Sequence, residues 1–285
     1  ASDHDVSGSL PPVYHAPMTD SAKWTKTVAI TGAGSGLGAA MAEVFAGEGW
    51  RVAVTDVEGA RAEETLKRIE ASGGSGFALA QDVTSEVDWA ALESAVQEHW
   101  GGLEVLVNNA GVATAGTVVD SPPEDWDWVL GIDLLGVVRG CRRFGALMQR
   151  QGRGHQVNIA SFAGLAGAPG VSSYGVAKAG VVALSEALRI ELSSAGVGVS
   201  VVCPAFVETR LTETMRATEP GTQEQVKRWM RRSGVTAEDV ARATYEAVEA
   251  NRFLVLTHKE TRWLWRLKRW SPETYYPLMR RRRAG

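Results

Sequence analysis

The chain has 285 residues, 45% of them hydrophobic and 22% charged, with a formal net charge of −3. A chain of this length can bury roughly 70–75% of its extended surface without a disulfide or metal staple, and its ordinary apolar and charged fractions, with no apolar run of about 18–20 residues, exclude collagen-like, disordered and membrane-spanning classes. The balance of 30 basic and 33 acidic residues gives no global field for nucleic acid.

Residues 1–22 contain Pro11, Pro12 and Pro17 and lack the apolar stretch of a secretory signal. They read as a flexible arm outside the fold, in which Met18 offers a second start. From Lys26 onward, short β-rich runs alternate with longer helical patterns. A strand at 27–30 enters a glycine-rich turn, and a helix over 38–47 carries Met41, Val44 and Phe45 at helical spacing. A second strand, 51–55, stops at Asp56 and leads into a charged helix over 58–71. A third strand follows at 76–80, and Ser85 caps a helix that runs to Trp100. A fourth strand spans 103–107. Ser121 and Pro122 then open a long helix that ends near Gln151. Further strands are expected at 156–159, 198–202 and 253–256, with helices over 174–194 and 237–249, the latter capped by Thr236. Such alternation predicts one doubly wound α/β domain over 23–257, a parallel sheet with helices on both faces and a crevice at the carboxyl ends of its strands. Residues 258–285 are read as an extension.

Within this frame, Thr31-Gly32-Ala33-Gly34-Ser35-Gly36-Leu37-Gly38 links the first strand to the first helix. Glycines let the backbone turn sharply and approach a pyrophosphate, and the helix start offers free N–H groups. Gly32, Ser35, Gly36, Leu37 and Gly38 are the candidate contacts. Asp56, at the end of the second strand, can accept both ribose hydroxyls of NAD and would repel the 2′-phosphate of NADP. Its bland alternative is a solvated aspartate that caps the next helix. No Arg or Lys adjoins Asp56 in sequence or lies within the glycine turn.

Later segments add Asp82-Val83, Asn108-Asn109-Ala110-Gly111, Ser161, Tyr174-x-x-x-Lys178 and Pro204-Ala205-Phe206-Val207-Glu208-Thr209. Together with Gly32-x-x-x-Gly36-x-Gly38, this set over residues 26–256 resembles the short-chain dehydrogenase/reductase family. The resemblance implies a nicotinamide dinucleotide held also by Asp82, Val83, Asn109, Ala110, Gly111, Tyr174, Lys178, Pro204, Val207 and Thr209. It also implies a homotetramer or homodimer, paired through the two long helices around the fifth strand. Tyr174 and Lys178 stand one helical turn apart and share a face. A nearby ammonium and an oxidised nicotinamide lower the pKa of a phenol, which can then exchange a proton with an alcohol or ketone. Ser161 would hold the same substrate oxygen. Asp133 stands where the family carries a catalytic Asn. Its main-chain carbonyl can keep the relay water the resemblance implies, and its carboxylate can be protonated or can stabilise Lys178 as a cation. Ala205 replaces the family's usual glycine.

Ala163, Leu165, Ala168 and Val171, with a lid of Phe206, Leu211, Met215, Trp229 and Met230, suggest a pocket for a hydrophobic secondary alcohol or ketone. The five histidines are scattered, so no metal site is expected. Trp126 and Trp128 read as core or interface. Cys141 and Cys203 form no disulfide framework, which points to a reducing, cytoplasmic setting.

Residues 258–285 carry nine basic and two acidic side chains, a local charge of +7 that leaves −10 on the rest. Trp263, Leu267 and Trp270 share one helical face there, and Arg262, Arg266 and Arg269 another. The segment packs over a neighbouring subunit or the substrate mouth, or it meets a membrane surface; nucleic acid fits it least. The overall expectation is an NAD(H)-dependent oxidoreductase with Tyr174 as acid/base. The alternatives are an NADPH-dependent 3-oxoacyl reductase and a non-catalytic NAD-sensing protein.

Overall fold

A computed structural model describes residues 26–283, so the expected arm over 1–22 lies outside the described residues. The first half alternates as β1 (Thr27–Ile30), α1 (Gly36–Gly47), β2 (Arg51–Asp56), α2 (Gly59–Ala71), β3 (Ser75–Ala80), α3 (Glu86–Trp100) and β4 (Val105–Asn108). A two-residue strand β5 (Thr114–Ala115) precedes α4 (Pro123–Leu130), a π-helical segment (Gly131–Gly136) and α5 (Val137–Gln151). Then come β6 (Gly154–Ile159), α6 (Phe162–Ala166), α7 (Ser172–Glu191), β7 (Val197–Val202), β8 (Arg216–Ala217) and α8 (Thr222–Arg232). The chain continues with α9 (Ala237–Glu249), β9 (Leu254–Val255), α10 (Lys259–Trp270) and α11 (Pro272–Arg283).

Seven of the strands form one parallel sheet in the order β3-β2-β1-β4-β6-β7-β9. Side chains alternate along each strand, and here both faces are covered. Val28, Ile30, Val52, Val54, Val105 and Val107 pack with α1, α2 and α9 on one face. Ala29, Ala53, Leu106, Val199 and Val201 pack with α3, α5 and α7 on the other. Phe45 of α1 is fully buried and meets Trp50 and Tyr245 edge-on, with ring centres 5.3 and 5.4 Å apart. Burial of such a ring contributes about 1.5–3 kcal/mol. Successive strands run outward from β1 in one direction and from β4 in the other. The crevice therefore opens at the carboxyl ends of β1 and β4, where the chain order reverses.

The expected caps of α3 and α9 are present: Ser85 Oγ accepts the Asp88 N–H at 3.2 Å, and Thr236 and Asp239 form a reciprocal box. Ser121 does not cap the next helix. Its hydroxyl donates to Thr117 O at 2.7 Å, and the helix opens one step later, with Pro122 at the cap and Pro123 in the first turn. Nor is the long helix regular to Gln151: the π-helical segment interrupts it at Asp133. A π turn adds one residue to the ring of hydrogen bonds and re-aims the side chains it carries. Gly136 lets this segment lie on Val83, since a Cβ there would fall 2.9 Å from Val83 Cγ2.

The last two helices fold back over α6. Lys268 Nζ donates to Leu165 O at 2.6 Å, and the buried Tyr275 hydroxyl donates to Ala166 O at 2.8 Å. His258 approaches the Ala205 N–H and Phe206 O, at 3.4 and 3.2 Å. Leu264 and Thr261 form the inward face of α10. The two expected faces are therefore not separated: Trp263 and Trp270 turn outward together with Arg266 and Arg269, while Arg262 donates to Leu256 O at 3.2 and 3.3 Å. Among the described residues no helix is long and apolar enough to cross a membrane.

Candidate active site

The glycine turn leaves β1 at Thr31 and is tied to the loop after β4. Thr31 Oγ1 accepts the N–H groups of Asn109 and Ala110, both at 3.0 Å, and Asn109 Nδ2 donates to Thr31 O and Gly32 O at 2.8 and 3.2 Å. Gly32 has φ +63°, and a Cβ there would lie 2.8 Å from Ala110 Cα. Gly36 has φ +54° and faces Thr209, whose Cβ would be 3.2 Å from an added Cβ. A Cβ on Gly38 would lie only 2.2 Å from Gly32 O. The turn thus admits glycine alone where it folds on itself. Thr31 was not singled out from the sequence, although its hydroxyl stands directly before the first glycine and does this tying.

Ser35 is the N-cap of α1 in extended backbone, yet its side chain takes no capping hydrogen bond, unlike the caps of α3 and α9. No side chain caps the first-turn N–H groups, and an uncapped helix start suits a phosphate. Leu37 packs against the core beneath. Asp56 is 8% exposed. Its Oδ2 accepts the Gly34 N–H and its Oδ1 the Glu58 N–H, both at 3.0 Å. The carboxylate is therefore buried, not solvated, and it steadies both the glycine turn and the start of α2. The Arg61 side chain packs against Gly34, where an added Cβ would fall 2.6 Å from Arg61 Cβ. Its guanidinium pairs with Glu58 at 2.9 Å. Asp82 Oδ1 takes the N–H and hydroxyl of Thr84, both at 2.8 Å, and Val83 O takes Trp89 Nε1 at 2.9 Å. These residues fit an anionic dinucleotide: a cradle closed to any Cβ, an uncapped helix start and a fixed carboxylate at one end.

At the other end, Tyr174 and Lys178 project from α7 and Ser161 leaves the end of β6. Ser161 stands by the Tyr174 phenol and helps to draw its pKa down. Ser161 Oγ accepts the Ala163 N–H at 3.1 Å and lies 3.5 Å from Pro204 O. The loops after β6 and β7 are joined by Phe162 N–H to Pro204 O at 2.7 Å. Lys178 Nζ donates to Ile159 O at 3.0 Å and lies 3.1 Å from Asp133 Oδ2. Asp133 Oδ1 accepts the Val112 N–H at 2.8 Å, and Gly111 lies against the same carboxylate. The expected pull of Lys178 on the Tyr174 phenol is present, but among the protein's own groups, before a nicotinamide adds its charge, burial outweighs it. Burial pushes the phenol above its ordinary value, and the pull of Lys178 is countered by Asp133. Cys203, also buried, is pushed by its burial up to about 12, which leaves it an inert thiol.

Val207 turns its side chain into the core. Thr209 caps a short 3₁₀ turn beside Gly36. Of the apolar positions, Val171, Leu211 and Met215 cluster with Tyr174, and Phe206 meets Trp229 with ring centres 5.4 Å apart. Leu165 goes elsewhere: it packs toward the second core with Trp265 of α10. Trp128 carries the Arg216 guanidinium 3.9 Å above its ring.

A family profile described as short chain dehydrogenase matches residues 26–220. Over 199 residues the chain is 39% identical to the probable oxidoreductase EphD of Mycobacterium tuberculosis, covering 70% of this chain and 34% of the relative. The chain thus spans about a third of the length of that relative. It is 32% identical to the CLA biosynthesis dehydrogenase/reductase of Lactiplantibacillus plantarum, across 82% of this chain and 88% of the relative. A short chain dehydrogenase/reductase from Burkholderia phymatum, solved in complex with NAD, superposes with a TM-score of 0.83 at 35% identity, over 87% of this chain and 94% of that one.

Proposed function

Since the chain belongs to the short-chain dehydrogenase/reductase family of oxidoreductases, we propose that it interconverts a hydrophobic secondary alcohol and its ketone with NAD(H). The convergence of Ser161, Tyr174 and Lys178 beside the glycine cradle carries this reading. A bound nicotinamide supplies or accepts the hydride. Tyr174 moves the proton at the substrate oxygen, and Ser161 holds that oxygen as charge develops on it. Lys178 orients the ribose, and the cluster of Val171, Leu211 and Met215 excludes water from the reacting atoms. Formation of reduced nicotinamide from NAD and from NADP, over a panel of secondary alcohols, tests the reading. Turnover confined to NADP would favour the 3-oxoacyl reductase alternative, and binding without turnover a sensor.

The choice of NAD rests on Asp56. Its buried carboxylate would face a 2′-phosphate, while the guanidinium of nearby Arg61 is paired with Glu58. Asp56→Asn is expected to lower the preference for NAD over NADP, as the ratio of kcat/KM, by about 10- to 100-fold. An unchanged ratio would remove Asp56 as the discriminator.

The proposal extends to a homodimer or homotetramer, for which Val176 and Ile190 stand exposed on α7. Free, buried Cys141 and Cys203 fit a cytoplasmic setting. For the extension, the specific observation is Trp263 at 55% and Trp270 at 89% exposure, interleaved with the exposed Arg266 and Arg269. Pairing this face with its own copy would oppose like charges, whereas an anionic lipid surface complements them. Co-sedimentation with phosphatidylglycerol-containing vesicles is expected to fall roughly tenfold in the double variant Trp263→Ala/Trp270→Ala. Equal partitioning of both proteins, or equal binding to pure phosphatidylcholine, would end the membrane reading.

A further inference from the structure

Lys178 does not face Tyr174 alone. Its Nζ lies 5.8 Å from the Tyr174 ring centre but 3.1 Å from Asp133 Oδ2. Asp133 is fully buried, and its other oxygen is fixed by the Val112 N–H. The π-helical segment brings this carboxylate to the lysine, and Gly111 leaves room for it: a Cβ there would sit 3.2 Å from Oδ2. A cation so close to an anion presents little more than a dipole to a third group, and its field falls off faster than that of a bare charge.

We propose that Asp133 sets the pH range of the reaction: paired with Lys178, its carboxylate cancels much of the lysine's field at the Tyr174 hydroxyl, so that Tyr174 stays protonated at neutral pH and is ready to donate to a ketone, while alcohol oxidation requires alkaline pH. This inference rests on the oxidoreductase reading above. Asp133 acts through Lys178 and is a positioning residue.

The groups facing Tyr174 are Lys178, Asp133, Ser161 and Cys203. Burial raises the phenol, Lys178 pulls it down, and Asp133 pushes it up again. Burial alone would disfavour the ammonium of Lys178, but Asp133 and Tyr174 outweigh it and the direction is upward. Burial raises Asp133, against the pull of Lys178 and the Val112 N–H. In reduction the Tyr174 O–H bond breaks and its proton joins the substrate oxygen as hydride reaches the carbon; solvent then restores the phenol. In oxidation a tyrosinate must exist before it can take the alcohol's proton. The overall equilibrium is untouched. What moves is the pH at which each direction slows.

The test titrates Tyr174 itself. Near-ultraviolet phenolate absorbance is followed against pH in the wild type and in Asp133→Asn. The corresponding Tyr174→Phe protein is subtracted in each case, so that the other tyrosines drop out. The pH profile of NAD-linked oxidation is recorded beside it. Asp133→Asn keeps an oxygen for the Val112 N–H and removes the charge. The Tyr174 midpoint, and with it the acid limb of oxidation, is expected to fall by about 1–2 pH units. An unchanged or raised midpoint overturns the proposal even if activity drops, because a purely structural Asp133 gives that result. A lowered midpoint in a protein that turns over no alcohol sustains the charge relation and sinks the NAD-linked alcohol/ketone reading instead. Should the amide variant not fold, Asp133→Ser is read by the same two measurements.

Discussion

Tyr174→Phe is expected to cut turnover by about 10²–10⁴-fold, the usual contribution of a positioned acid/base, while dinucleotide binding is nearly unchanged. The ring packs with Val171, Leu211 and Met215, and all of those apolar contacts survive removal of the hydroxyl. The lost atom is the phenol oxygen, the one proposed to exchange the proton. Because ring and backbone stay in place, a fall in kcat without a fall in affinity isolates the proton transfer. Initial rates, together with a fluorescence titration of the dinucleotide, separate the two. Full turnover in the variant would move the acid/base role to another group.

Gly38→Ala should be the most damaging single methyl addition in the cradle. The new Cβ would fall 2.2 Å from Gly32 O and 2.5 Å from Asn109 Nδ2, so it meets the backbone of the turn and the side chain that ties the turn to β4. Neither can withdraw without giving up Asn109's bonds to Thr31 O and Gly32 O. Overpacking of this kind costs about 1–3 kcal/mol or more, which in a domain of this size lowers Tm by about 2–12 °C. Dinucleotide affinity should be lost with the shape of the turn. Gly47→Ala, at the far end of the same helix, meets nothing within 4 Å. It should leave both properties intact, and thermal melts of the two variants with and without NAD make the comparison. Equal melting temperatures for the two would show that the turn relaxes around the methyl.

Much of the architecture was legible because each strand is an apolar run bounded by a turn. The first strand was read to the residue, since Lys26 and the glycine turn close it on both sides. Ser161, Tyr174 and Lys178 were legible as a set because two of them share a helical face and the third ends a neighbouring strand. The π-helical segment was not, since Gly131-Ile132-Asp133-Leu134 satisfies an ordinary helical pattern equally well. Its extra residue is fixed by tertiary partners, Lys178 on one side and Val83 on the other. The same holds for β5 and β8: two residues are too few for alternation to show. Leu165 was assigned to the substrate side because nothing nearby in sequence reveals that α10 covers it. The outward turn of Trp263 and Trp270 had the same cause, since Lys268 and Tyr275 fix the orientation of the hairpin from α6.

The bond from Tyr275 to Ala166 joins residues 109 positions apart, and the segment it holds begins directly after Ser161. The loop that carries Ser161 is thus anchored by a helix far along the chain: loss of the Tyr275 hydroxyl would leave the Ala166 carbonyl without that donor and reach the backbone beside Ser161 from a remote point in sequence.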